Sequence, residues 1–422
     1  MKIPSFYFGS SKKAMEKNVV TQEKEEFKEA HWVLKNAVSN KPYQFSFDMG
    51  NFPNINIKNI RNLEETGLVL KDNTISGVPS GNTIYHLDIE FCHIADPEHT
   101  EIKKVDLFVN ADPKDLWKNL PADPNADFYK ADEVSYKGSF LDKKIVIASK
   151  RGRSHAHEGK FREDDFAVNE LSSGWNMISV SDGAGSAKFA REGSRLATVS
   201  VNEFFSSKEL LDEMEHAVCI YYGAESSQEL RTEAGQNTIK HLYQAVVYTY
   251  NILEKTAEKN NFVINELNTT LIFALAKKFS FGYVILTFGV GDCPINLINS
   301  DFSEVKLLNQ MDVGEFSGGT RFVTMKEVYN ESAVHRFNIT RVEDFSHLVL
   351  MTDGIYDPKF ATENKLENVE SWKIFFSDLS GNNDDNTQVD FTNDTTIEEQ
   401  LMMWTDFWSR GNHDDRTLAI IY

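Results

Sequence analysis

Cysteine is nearly absent: Cys92, Cys219 and Cys293 are the only three in 422 residues, far apart and without a C-x-x-C pair. That excludes a disulfide framework and a thiolate zinc knuckle, and it makes a reducing compartment the expected setting. Positive charge is also short, with 44 Lys and Arg against 64 Asp and Glu and a net charge of -20. A chain this acidic is not expected to have nucleic acid or an anionic membrane as its main partner, because both select basic surfaces. No uncharged apolar run approaches the roughly 18 residues of a membrane span. The N-terminal M-K-I-P-S-F-Y-F-G-S-S-K-K lacks the apolar centre of a signal peptide, so a cytoplasmic chain is expected. What is plentiful is phenylalanine, 30 residues in a chain that is 41% hydrophobic, enough for a large core. The length suggests two or three domains.

The patterns divide the chain into an N-terminal extension (1–35) with one helical stretch, a β-rich domain (36–112), a Pro/Asp/Ala-rich linker (113–135) and an α+β domain (136–422). In the second part, short alternating runs separated by Asn, Gly, Pro and Asp suggest a small β-sandwich. There, G-L-V-L-K-D-N-T-I-S-G-V-P-S-G-N-T-I-Y-H-L-D-I, from Gly67, resembles the immunoglobulin-like domains of bacterial multidomain proteins. In the last part, strands in meander order are interrupted by two long helical stretches, Ser186 to Phe205 and Gln228 to Lys259. Two sheets with helices outside would bury both apolar stripes.

Three β-type runs each deliver an aspartate into a glycine-bearing turn: S-V-S-D-G-A-G at Asp182, F-G-V-G-D at Asp292 and L-V-L-M-T-D-G at Asp353. One Asp-Gly after a strand is ordinarily only a turn. A set of them is different, and Glu163 with Asp164, the Gly183 carbonyl, and Asp414 with Asp415 extend it. Oxygen ligands without a His/Cys cluster favour Mg²⁺ or Mn²⁺ over zinc. Carboxylates gathered in a cleft repel one another unless a cation is present. Two such ions, about 4 Å apart, suit phosphate-ester hydrolysis.

The order of these turns resembles the metal-dependent protein phosphatases of the type 2C class, in their divergent bacterial branch. G-R-S-H-A-H-E-G-K-F-R-E-D-D-F, from Gly152, is similar to that branch's G-x-S-H…G-K-x-x-Q-D-x-F. S-D-G-A-G-S-A, N-T-T-L, G-V-G-D-C-P, M-T-D-G-I-Y-D and H-D-D-R-T-L-A-I-I follow in the family's order. The resemblance implies a four-layer αββα sandwich. It implies metal ligation by Glu163, Asp164, Asp182, Gly183, Asp353 and Asp414, with Asp292 serving a weaker third ion. It implies a protein serine/threonine phosphatase acting through water activated by two Mn²⁺ or Mg²⁺ ions on phosphorylated proteins, with a cognate Ser/Thr kinase. Three departures stand out: Gly159 where the family often has the phosphate-holding arginine, Ala184 where many members have histidine, and Asp415 for the usual Asn, which adds a negative charge near the site. Arg153 or Arg162 would then hold the phosphate, and His155, His157 or metal-bound water alone would protonate the leaving group. The rival reading is a pseudophosphatase that binds phosphoproteins without turnover. A dehalogenase-type phosphatase is excluded by the lack of a D-x-D-x-T loop.

Overall fold

The computed structural model describes residues 9–112, 116–312 and 319–422, with side chains left aside at 9–16 and 331. The chain divides into two compact units, Met1–Trp117 and Lys118–Tyr422.

The first unit begins with helix α1 (Gly9–Glu29) and carries two sheets. One has the order β1 (Ala37–Val38), β7 (Asp96–Asn110), β6 (Thr83–His93), β3 (Ile55–Arg61); the other has β2 (Tyr43–Ser46), β5 (Thr74–Gly77), β4 (Leu68–Lys71). Their apolar faces meet in one core, where Leu68, Ile75, Ile89 and Leu107 are buried together. The helix expected in the N-terminal extension is part of this unit. Phe27 is fully buried, 4.6 Å from the Phe91 ring, and Lys103 Nζ donates to the Lys28 and Ala30 carbonyls at the helix end.

The second unit is built on two sheets. One runs β10 (Asp165–Glu170), β11 (Trp175–Ser181), β12 (Leu271–Phe279), β13 (Gly282–Val290), β16 (Phe337–Val342). The other runs β15 (Val305–Leu307), β14 (Ile295–Ile298), β17 (His347–Met351), β18 (Arg416–Ile421), β9 (Lys143–Lys150), β8 (Glu133–Phe140). Every pairing in both sheets is antiparallel. Strand alternation sorts the side chains into layers. On β12, Ile272 and Ala274 enter the core between the sheets, while Leu271, Phe273 and Leu275 face helices α3 (Ala190–Phe204), α4 (Lys208–Tyr222) and α5 (Gln228–Lys259). On β18, Ala419 and Ile421 face inward, while Leu418 and Ile420 pack with Ile355, Trp372 and Leu401 of α6 (Asp353–Phe360), α7 (Val369–Leu379) and α8 (Ile397–Trp404). Three cores between four layers make the αββα sandwich. A short helix, α2 (Arg153–Glu158), precedes β10.

Sequence patterning does not announce α4, β8 or β16. Helix α4 depends on Ser207, whose hydroxyl caps the Leu210 N–H at its start. Strand β8 is a largely exposed edge: of its alternating Val134, Tyr136 and Phe140 only Phe140 is buried. The expected linker also differs. Residues 113–115 lie outside the described residues, and 133–135 already belong to β8. Lys118 to Asp132 lacks regular structure for most of its length but is packed into the second unit: Phe128 joins the core of that unit and Lys130 is 8% exposed. Proline and aspartate report the absence of helix and strand, not the absence of tertiary contacts.

His347, at the start of β17, shows how this core handles a titratable group. Its ring lies 4.4 Å from the Phe376 ring, and its Nδ1 is buried without a hydrogen-bond partner. Burial, reinforced by the Lys143 charge, pushes its pKa down to about 4. The folded pKa is below the unfolded value near 6.5. Its contribution is therefore complete above pH 6.5 and is lost as pH falls toward 4. At pH 5 the loss is about 2 kcal/mol. His347→Phe should remove that part of the acid sensitivity. Urea unfolding at pH 7 and pH 5 checks it: equal pH losses in wild type and variant would refute the assignment.

Candidate metal centre

Four segments far apart in the chain meet at one end of the two sheets. Asp164 directly precedes β10, Asp182 follows β11, Asp353 opens α6 after β17, and Asp414 lies just before β18. Glycine makes the approach possible. A Cβ on Gly183 would stand 2.8 Å from the Glu163 carbonyl oxygen and 3.0 Å from Ala190, and one on Gly354 would stand 1.9 Å from the Asp415 carbonyl oxygen. Thus each D-G pair brings its aspartate against another acidic segment. The backbone of Asp182 is tied down by Thr270: its N–H donates to Thr270 Oγ1 at 2.8 Å and its carbonyl accepts the Thr270 N–H at 2.8 Å. Ala184 N–H pairs with the Asn268 carbonyl, so the Gly183–Thr269 bridge leaves the Gly183 carbonyl outside the ladder.

The clustered acids strain one another. Burial first, then the charges of Asp353, Asp164, Asp414 and Asp292, pushes the Asp182 carboxyl well above the carboxylate range. Burial and the charges of Asp414, Asp292 and Asp164 do the same to Asp353. Asp414 is raised by burial and by Asp415. Asp164, 1% exposed, is raised to about 7 by burial and by Asp415, although Thr417 and Thr352 donate to its Oδ2 at 2.7 and 2.8 Å. Glu163 is raised by burial to about 7 and its Oε2 has no hydrogen-bond partner. Asp353 Oδ1 is likewise buried and unpartnered. Buried carboxylate oxygens without donors are what an oxygen-loving dication satisfies, so the donor set fits Mg²⁺ or Mn²⁺. Ligand atoms of Asp182, Asp292 and Cys293 lie within 4.8 Å of one another, as do those of His155, Asp414 and Asp415. Burial holds the Cys293 thiol well above its ordinary pKa, and its Sγ lies 3.5 Å from Thr270 Oγ1. In the metal-free chain it is a buried, protonated thiol.

Asp292 is set by its own support. Its Oδ2 accepts from Thr320 Oγ1 at 2.8 Å. The preceding Gly291 donates its N–H to Asp312 Oδ2 at 2.9 Å and accepts the Asp312 N–H at 2.8 Å. Asp312 in turn forms a two-pronged pair with Arg336, at 2.9 Å on each oxygen, and Arg336 also donates to the Gly289 carbonyl at 3.1 Å.

Three expectations need correction. Arg162 does not face a substrate phosphate: it is 2% exposed and donates to Ser149 Oγ and the Asp164 and Ala131 carbonyls. Its guanidinium serves the backbone that carries Asp164. His155 is not an acid at the cleft mouth. It is 8% exposed, with Nδ1 3.0 Å from Asp415 and Nε2 3.7 Å from Glu163. Burial opposes its charge, but Asp415 and then Glu163 and Asp414 raise it to about 10, so in the metal-free chain it is a cation. Asp415 adds no free negative charge to the cleft. Burial works against its ionised form, yet His155 and the N–H groups of Gly152 and Glu163 hold its carboxyl below the ordinary range. Arg153 donates to the Asp406 carboxylate and carbonyl. The roles of the threonines at 352, 417, 270 and 320 escape sequence reasoning, although Thr352, Thr417 and Thr270 lie within the motifs M-T-D-G-I-Y-D, H-D-D-R-T-L-A-I-I and N-T-T-L.

No curated protein matches the chain at a significant level. Among solved structures, a bacterial serine phosphatase is similar at 14% identity over 66% of this chain and 97% of its own, with a TM-score of 0.40. Serine/threonine phosphatase Stp1 from Staphylococcus aureus is similar at 15% identity over 67% and 95%, with a TM-score of 0.38. The catalytic domain of the serine/threonine protein phosphatase PstP, in complex with two manganese ions, is similar at 14% identity over 66% and 96%, with a TM-score of 0.38. Residues 151–402 match the family described as Protein phosphatase 2C. That stretch is more than half of the chain and contains the convergent acidic turns from Glu163 to Asp353: this chain belongs to the protein phosphatase 2C family.

Proposed function

We propose that the second unit hydrolyses phosphoserine and phosphothreonine in proteins, with Glu163, Asp164, Asp182, Asp353, Asp414 and the Gly183 carbonyl holding two Mn²⁺ or Mg²⁺ ions and Asp292 serving a third. The observation that carries this reading is the meeting of Asp164, Asp182, Asp353 and Asp414 with two buried, donorless carboxylate oxygens. When bound, such ions supply a nucleophile from water at neutral pH and neutralise charge developing on the phosphoryl group. The chain's own part is orientation. Thr352 and Thr417 both donate to Oδ2 of Asp164 and fix the orientation of its carboxylate. The His155–Asp415 pair pins the Gly152 and Glu163 backbones, so the acids are held in place before substrate arrives. A phosphoprotein with its own Ser/Thr kinase is the natural substrate class. The two N-terminal sheets fit an immunoglobulin-like module, and the three free cysteines fit a reducing compartment such as the cytoplasm. No helix among the described residues is long and apolar enough to cross a membrane.

The test is phosphopeptide hydrolysis with Mn²⁺ and with EDTA, alongside thermal melting. Turnover requires metal, and its absence at every Mn²⁺ concentration would favour the pseudophosphatase. Metal at about 100 times its Kd should stabilise the chain by roughly 2.7 kcal/mol. The effect should depend on pH in one direction. In the metal-free chain Glu163 and Asp164 titrate near 7, above their unfolded values. Their contribution is therefore complete below about pH 4 and is lost as pH rises through 7. Metal must displace those protons, so binding strengthens as pH rises. The Mn²⁺-induced melting shift should be larger at pH 8 than at pH 5.5, with affinity at least about tenfold weaker at the lower pH.

A further inference from the structure

We propose that the segment from Lys118 to Asp132, acting through Lys130, positions the Glu163–Asp164 pair for cation binding. The inference rests on the two-cation reading above and adds to it a part of the chain that precedes the residues matching the family. The segment is attached to the acidic loop at both of its ends. Leu120 N–H donates to the Ala156 carbonyl at 2.8 Å, and Arg151 bridges the segment and the loop. Its guanidinium donates to Asn119 Oδ1 at 2.8 Å and to the Lys160 carbonyl at 2.9 Å, and pairs with Asp132 at 3.0 Å. The Tyr129 ring meets the Phe161 ring edge-on at 5.8 Å. The Ala131 carbonyl accepts from Arg162, which also donates to the Asp164 carbonyl and to Ser149 Oγ.

Lys130 closes the arrangement. Its ammonium lies 2.9 Å from Asp165 Oδ2 and 3.0 Å from Ser194 Oγ, and it donates to the Arg191 carbonyl at 3.1 Å. Ser194 Oγ donates onward to the Glu163 carbonyl. One buried cation therefore holds the residue after the Glu163–Asp164 pair through its side chain and Glu163 itself through a serine. Both acids lie on backbone whose register against α3 depends on this lysine. A charged side chain buried to this degree is costly unless its partners are in place. The same segment fills the space at Gly159: a Cβ there would meet the Pro121 carbonyl oxygen at 3.3 Å and Leu120 Cβ at 3.5 Å. The position where the family often carries its arginine is thus covered by a strap that belongs to this chain.

The test uses the full chain with Lys130→Met, which keeps the stem and removes the charge, Lys130→Arg, and Ser194→Ala. Melting in EDTA, a Mn²⁺ titration of the melting temperature and the metal dependence of turnover are read together. A positioning role predicts that Lys130→Met needs about tenfold more Mn²⁺ for half of the melting shift, in the range for residues that orient metal ligands. Lys130→Arg should restore most of that loss, and Ser194→Ala should show a smaller loss in the same direction. If Lys130→Met fails to fold, the serine variant and the arginine variant carry the comparison. Equal lowering of the metal-free and metal-loaded melting temperatures, with Mn²⁺ affinity unchanged, would overturn the proposal and leave Lys130 a structural residue. A wild-type chain without any Mn²⁺ response would instead overturn the two-cation reading.

Discussion

Asp182→Asn should nearly abolish turnover and yet make the metal-free protein more stable. The two effects come from one cause. Asp182 sits among four other acids, and burial together with their charges holds its carboxyl well above the carboxylate range. Without cations that crowding is a liability: a carboxyl is buried beside Asp353, Asp164, Asp414 and Asp292. An amide has the same shape and no charge, so the substitution relieves roughly 1–3 kcal/mol, the scale of one uncompensated buried polar group. With cations the balance reverses. Residues that only orient a metal ligand cost 10–100-fold on mutation, so loss of a ligand shared within the cluster should cost at least about 100-fold. Phosphopeptide turnover at saturating Mn²⁺ and melting in EDTA read the two halves separately. A variant that loses activity and also melts lower in EDTA would mean that Asp182 is a structural residue.

The second large effect lies one layer behind the cleft. Arg336 and Asp312 have side chains 4% and 3% exposed and pair through both oxygens. Removing Arg336 strands a buried carboxylate, a change that costs about 3–5 kcal/mol. Arg321, 3.7 Å from Asp312 and partly exposed, softens the loss without replacing the two-pronged contact. Arg336→Leu should therefore fall in the lower part of that range by urea unfolding. Combining it with Asp312→Asn should recover part of the cost, because the stranded charge is gone while the amide oxygen can take the place of Oδ2 as acceptor for the Gly291 N–H. Additive losses in the double variant would show that the pair's charge is not what matters. Because Asp312 also pairs with the Gly291 backbone, both variants should loosen the turn that carries Asp292.

The order of acidic turns, each an apolar run ending in Asp beside Gly, was legible in the sequence because strand period and glycine freedom are local properties. So were β11, β12, β13 and the long helix α5, whose apolar spacing shows within their own length. The four layers followed once those elements had apolar faces to cover.

What only the tertiary structure decided is the direction in which each polar side chain is used. Arg162 and His155 stand in the same short stretch as Glu163 and read alike as charged loop residues, yet one supports backbone carbonyls and the other neutralises Asp415, some 260 positions away. Asp414 and Asp415 are chain neighbours, but the first faces the cluster of acids and the second turns inward to backbone N–H groups. Lys130 is one lysine in a proline-bearing stretch until Asp165 and Ser194 close around it. Local pattern carries backbone geometry and apolar faces; the partner of a buried charge is set by packing between segments that no spacing relates.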